Sequence, residues 1–104
     1  MSMIYLNRHD TEKGEIVAMC DEELIGKVLK QGKLEIDLKN YASFYKGSLV
    51  SEEDAARQLG SSIFSLNAVG NKSVKILVQK GLVKAGEVRK VRGVSFVQIY
   101  SVDR

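Results

Sequence analysis

Short apolar runs, separated by polar stretches that carry glycine, set the rhythm of this chain. Met3, Ile4, Tyr5 and Leu6 form the first run, rich in strand formers, and the polar stretch 7–14 reads as a loop. Ile16, Val17, Ala18, Met19 and Cys20 form a second run, apolar on both faces. A run without a polar face needs cover on both sides, so the pair predicts a hairpin whose second strand is central. Asp21 then reads as an N-cap. Glu22 and Glu23 fall in a first helical turn, where the helix dipole favours anions, and Leu24, Ile25, Val28 and Leu29 have helical spacing. That pattern predicts a helix ending near Gly32. Leu34, Ile36 and Leu38 alternate with Glu35, Asp37 and Lys39, the cleanest half-exposed strand in the chain.

The second half follows the same logic. Residues 40–47, with Tyr41, Phe44 and Tyr45, read as a loop or a single helical turn that lids the core. Ser51 to Asp54 has the S-x-x-D form of a capping box, with Val50 at the staple position opposite Ala55. The helix it opens is closed by Gly60. Ile63, Phe64 and Leu66 predict a brief buried strand. Gly70-Asn71-Lys72-Ser73 opens a third helix, with Val74, Leu77 and Val78 as its core stripe and Gly81 as its stop. Residues 88–91 and 94–102 predict a final hairpin around Arg92-Gly93, with Gly93 supplying a positive φ. The expected order is β-β-α-β-α-β-α-β-β. The expected architecture is one α+β domain over residues 1–104, with a mixed or antiparallel sheet and packed helices.

Composition narrows the classes. At 104 residues, 44% hydrophobic and 28% charged, the chain has the makings of a core without staples. No apolar run approaches the ~20 residues of a membrane helix, and residues 1–8 lack a signal-peptide pattern. Cys20 is the only cysteine and His9 the only histidine, so an internal disulfide and a tetrahedral structural zinc site are both excluded. A lone cysteine suits a reducing cytoplasm. The sequence calls for no cofactor, no metal and no membrane.

Charge changes the picture more. Residues 1–54 hold 7 Lys and Arg against 11 Asp and Glu, a net of −4, while residues 55–104 hold 9 against 2, a net of +7. A one-sided basic half is what a phosphate backbone needs. Lys72, Lys75, Lys80, Lys84, Arg89, Lys90, Arg92 and Arg104 crowd its last third. Lys72, Lys75 and Gln79 share one helical face, and Arg89, Lys90 and Arg92 lie at a hairpin end. These groups could converge on one phosphate groove, with Gly70 and Asn71 offering backbone N–H groups at a helix N-terminus. The bland alternative is a solvated surface. Phe96 and Tyr100, with Gln98 between them, could form a stacking platform for bases, but a core face explains them as well. Gly70-Asn71-Lys72-Ser73 is not a phosphate-binding loop, since Ser65 occupies its first glycine position and Asn71 separates glycine from lysine.

Four segments carry a family resemblance: Cys20-Asp-Glu-Glu-Leu-Ile-Gly-Lys27; Phe44-Tyr-Lys-Gly47 followed by Ser51-Glu-Glu-Asp-Ala55; Asn67-Ala-Val-Gly70; and Gly93-Val-Ser-Phe-Val-Gln-Ile99. In order and spacing they resemble short archaeal proteins known as domain of unknown function 424. The resemblance spans nearly the whole chain and implies no established activity. The family's loose association with translation and RNA-binding factors adds weight to an RNA reading. Ser95-Phe96 stands where the family pattern has Pro-His, so any chemistry of that histidine is missing here.

Three functions follow as expectations. The first is a non-enzymatic RNA-binding module, on the ribosome or beside a translation factor, using Gly70, Asn71, Lys72, Lys75, Arg89, Lys90 and Arg92. The second is a protein-protein adaptor whose acidic residues Asp21, Glu22 and Glu23 meet a basic partner; a charged helix start explains the same triad. The third is a small enzyme using Cys20. Three carboxylates follow that thiol, which raises its pKa, and a buried cysteine closing a central strand is the simpler account.

Overall fold

The computed structural model describes residues 3–60 and 63–100. Strands β1 (Met3–Thr11) and β2 (Gly14–Asp21) form the first hairpin. A six-stranded mixed sheet grows around it, built with β5 (Ser48–Ser51), β6 (Ile63–Val69), β7 (Arg89–Val91) and β8 (Val94–Ile99), in the order β5-β1-β2-β6-β8-β7. Among the described residues only β2 and β6 run parallel. A separate two-stranded sheet pairs β3 (Val28–Gln31) with β4 (Leu34–Asp37). The helices are α1 (Ala42–Tyr45), α2 (Glu52–Gln58) and α3 (Asn71–Gln79). The class is α+β, as the pattern of runs implies.

Alternate residues of the strands feed two cores. On one face Ile4, Leu6, Val17, Met19, Leu66, Ala68 and Val97 pack against Ala55 of α2, Leu59 just past its end, and Val74 and Leu77 of α3. On the other, Ala18, Cys20, Val69 and Phe96 pack against Ile36 and Leu38 from the β4 arm and Tyr45 from α1. β2 lies inside the sheet and serves both cores, as its apolar run requires. Ser51 caps α2, its hydroxyl accepting from Asp54 N at 3.1 Å.

Four expectations are corrected. The first strand does not stop at Leu6: β1 pairs with β2 through Thr11↔Gly14, and its polar end runs on past β5 as an edge, with β6 on the far side of β2. The helix expected from Asp21 to Gly32 is a single 3-10 turn, Glu22–Leu24, followed by a strand. Gly26 breaks it with φ 90°, and Leu29 gains cover by pairing with Ile36 and packing under the sheet. A helix would have no comparable face to rest on. Gly32 is then a corner of the β3–β4 turn and not a helix stop. Finally, β5 is a strand that nothing in its polar flanks signals; Gly47 lets it approach β1, where a Cβ would strike Leu6 O and Asn7 Cα.

The last hairpin turns at Arg92 and Gly93, both left-handed with φ 53° and 78°. This is the type I′ geometry that matches strand twist. Glycine was the expected carrier of positive φ; the arginine beside it shares that conformation. Val102 and Arg104 lie outside the described residues.

Candidate nucleic-acid interface

The N-terminus of α3 is closed by a side chain from the other half of the protein. Asp21 sits at the end of β2, only 3% exposed. Its Oδ2 accepts from Lys72 N at 3.1 Å, and its Oδ1 accepts from Ser73 N at 2.9 Å and from Ser73 Oγ at 2.8 Å. A buried carboxylate here satisfies donors that a helix start leaves open, and it meets the positive end of the dipole. Gly70 makes the approach possible, since a Cβ would collide with the carboxylate and the backbone holds φ 119°. Its own N–H donates to Ser95 O. The N–H of Gly70, expected to greet a phosphate, is thus committed to Ser95 O, and the next free N–H groups of the helix start, those of Lys72 and Ser73, hold a protein carboxylate that repels an anion. Asp21 caps α3 across the fold and not the turn that follows it.

The acidic triad is divided. Asp21 is buried, Glu22 is exposed, and Glu23 pairs with Lys72 at 2.9 Å. The hydrogen bond from Lys72 holds the Glu23 carboxyl below the usual range and lifts the Lys72 ammonium above its own. Lys72 is thus engaged within the protein. The acidic and basic halves of the sequence interleave in space: β2 lies beside β6, and Glu52 and Glu53 share a shallow hollow with Lys80.

The remaining basic candidates do not converge either. Register places Arg89 opposite Phe96 and Lys90 opposite Ser95, so the two side chains leave opposite faces of β7. Arg89 lies 5.4 Å from the Phe96 ring, on the face that carries the β3–β4 hairpin. Lys90 is on the α3 face, where Lys75 and Gln79 border a groove of about 330 Å³ with an apolar floor of Val74, Val78 and Val88. Arg92 belongs with Arg89: its N–H donates to Gln31 Oε1 of β3 at 2.6 Å.

Two hollows flank β4 on that hairpin face. The first, about 750 Å³, is bordered by Lys30, Lys39 and Arg92 together with Glu35, Asp37 and Asn40. Lys30 stands 4.0 Å from Glu35, and Asp37 accepts from Lys39 N, Asn40 N and Asn40 Nδ2, bonds that hold its carboxyl below the usual range. The second, about 570 Å³, shares Glu35 and Asp37 and opens between β4, α1 and the sheet, where Tyr41, Phe44, Asn67 and Gln98 line it. Phe44 is fixed by a parallel stack on His9, centroids 5.0 Å apart, and an edge contact with Tyr45. His9 is thus a packing residue at the α1 seam, its Nε2 3.1 Å from Phe44 O.

The aromatics expected as a lid or a platform therefore separate by role. Tyr45 and Phe96 are core; burial pushes the Tyr45 phenol up to about 12. Tyr41 and Tyr100 are 65% and 75% exposed. Lys30, Lys39 and Asn67 were not among the binding residues expected from the sequence. The available signal was Asn67 itself, an amide inside the apolar run of β6.

Cys20 is fully buried in the second core. Burial, reinforced by Asp21 and Glu23, pushes its thiol up to about 12. A thiol so placed is held in its protonated form and packed away from solvent, the surroundings of a cysteine that closes a central strand. Among the described residues, no helix is long and apolar enough to cross a membrane.

The comparisons agree with the resemblance carried by the four segments. A family described as protein of unknown function DUF424 matches residues 9–102. The chain belongs to the domain of unknown function 424 family. A solved relative of this fold is an uncharacterized conserved protein from Methanopyrus kandleri, known from a crystal structure. It has a TM-score of 0.80 and 27% identity, with 98% of this chain and 94% of that chain covered. No curated protein matches the chain. For this DUF424 member, function has to be argued from its own surface.

Proposed function

We propose that this protein is a non-enzymatic module for single-stranded RNA, acting in the cytoplasm alongside the ribosome or a translation factor. The RNA lies across the β3–β4 hairpin, with phosphates at Lys30, Lys39 and Arg92, and Arg89 nearby. The observation that carries this reading is Arg92. A non-glycine residue at φ 53° costs roughly 1–2 kcal/mol, and Asn or Gly would suit this corner better. An arginine in a strained position beside a hollow that Lys30 and Lys39 also border argues for a guanidinium that works on a ligand. Aromatic and amide groups beyond the β4 ridge supply what a base needs once phosphates are held.

The test is a salt titration of binding to single-stranded RNA, run beside a synthetic polyanion of equal charge. Binding at low salt with a preference for RNA is expected. The double variant Arg89→Glu/Arg92→Glu should abolish it, while Lys75→Glu/Lys90→Glu, on the opposite face, should weaken it much less. Neutralising one phosphate contact should flatten the slope of log K against log salt by about 0.7. Absence of binding at low salt sinks the reading and turns the search to protein partners. Equal loss in both double variants would mean a diffuse cation with no groove.

A further inference from the structure

We propose that the hollow between β4, α1 and the sheet is an adenine pocket, taking an unstacked base of the single-stranded RNA bound across the hairpin. The proposal rests on that RNA reading and adds the identity of the base. Asn67 and Gln98 are register partners on neighbouring central strands, β6 and β8, and face the side that is otherwise filled by Ala18, Cys20, Val69 and Phe96. Asn67 is half-buried in a row that alternation otherwise fills with apolar residues, and Gln98 beside it is exposed. Other polar groups of the same face are engaged: Asn7 donates to the carbonyls of Ser43 and Phe44, and Ser65 to Ile99 O. The amides of Asn67 and Gln98 hold no hydrogen bond to the described residues and line the hollow.

The walls define the ligand further. Phe44 is immobilised by His9 and Tyr45, and the exposed Tyr41 ring stands beside it, so a planar group can enter against a fixed aromatic edge. A volume of about 570 Å³ lies within the roughly 300–1,000 Å³ typical of small-molecule clefts. Glu35 and Asp37 make the rim acceptor-rich. Asp37 is committed to Lys39 and Asn40, whereas the half-exposed Glu35 meets Lys30 through one oxygen at 4.0 Å and keeps the other to accept from a ligand. This rim repels the carbonyl oxygens of uracil and the O6 of guanine. Adenine presents an amine with ring nitrogens on either side and no oxygen, and a carboxamide meets that edge with a donor and an acceptor together. The amine left over points to a carboxylate.

Fluorescence anisotropy with labelled octamers of A, U and C, and with labelled AMP, tests this at low and at moderate salt. The A octamer should bind at least tenfold tighter than the U octamer. Gln98→Leu and Tyr41→Ala, both at exposed positions, should erase that ratio while leaving salt-dependent binding. Equal affinity for all octamers overturns the adenine pocket and leaves the RNA module standing. A preference for C overturns adenine as the ligand. AMP binding as tightly as the A octamer overturns RNA as the occupant, and no binding of any probe at low salt overturns both proposals. The side-chain amide resonances of Asn67 and Gln98 should shift with the A octamer and not with U; their immobility would also overturn the pocket.

Discussion

The two faces of the central sheet are drawn from alternate residues of the same strands and end in different states. Toward α2 and α3, Val17, Met19, Leu66, Ala68 and Val97 meet aliphatic side chains and are sealed. Toward the hairpin, Cys20, Val69 and Phe96 are sealed, while one residue pair along, Asn67 and Gln98 open onto a hollow. The cover runs out because the two-stranded hairpin and the single turn of α1 are shorter than the sheet they roof. One face holds the fold together; the other has surplus area for a ligand. Substitutions should separate these two tasks.

The largest effect should come from the sealed face. Leu66→Ala removes a fully buried side chain and should lower unfolding free energy by roughly 2–5 kcal/mol in chemical denaturation, whereas Gln98→Ala should shift it by less than about 0.5 kcal/mol. Similar losses at both sites would mean that the open face is structural. Next comes the cap that joins the halves. Asp21→Ala leaves two backbone N–H groups and the Ser73 hydroxyl without their acceptor and should cost about 2–3 kcal/mol, with faster hydrogen exchange at the start of α3.

The pH dependence sharpens the contrast within the hairpin-side core. Cys20 ionises near 9 in the unfolded chain and near 12 when folded, and Tyr45 near 10 and near 12. The folded state favours the protonated forms, so their contribution is complete below pH 9 and is lost as pH rises from 9 to 12. Stability should fall there by up to about 1.4 kcal/mol per pH unit for each group. Thermal melts across that window measure it, and Cys20→Ala should remove the earlier part of the slope. In the native protein at pH 8 the Cys20 thiol should resist alkylation until denaturant is added. The smallest effect should be at the tip: Arg92→Asn should raise stability by up to about 1 kcal/mol by relieving the left-handed arginine, while weakening RNA binding. A variant that is both more stable and poorer at binding is the sharpest separation of the two tasks.

Much of the fold was legible because burial wrote it into the spacing of apolar residues. The doubly apolar run 16–20 placed β2 inside the sheet, and the S-x-x-D box placed α2. The exception at residues 21–32 has a physical cause. Asp21, Glu22 and Glu23 spell a helix start, but the carboxylate that would cap it reaches a helix some fifty residues on, and no sequence window contains both. The candidate site was legible only in part for the same reason. Lysines and arginines were visible, and alternation alone sends Arg89 and Lys90 of one strand to opposite faces, but which cover each face carries is tertiary information. Asn67 stood in the sequence only as the head of a family segment, and it is strand pairing that sets Gln98 beside it.

The parallel pairing of β2 with β6 also bears on the order of events during synthesis. Residues up to 51 can assemble β5, β1 and β2 as an antiparallel trio, in which β2 is an edge until residue 69 has been made. For a time on the order of seconds, Val17, Ala18, Met19 and Cys20 present an unpaired, doubly apolar edge to neighbouring nascent chains. Glu15 stands at one end of that stretch and Asp21, Glu22 and Glu23 at the other. Carboxylates so placed act as gatekeepers, repelling a second copy along the strand until β6 arrives and α3 draws one of them into the interior.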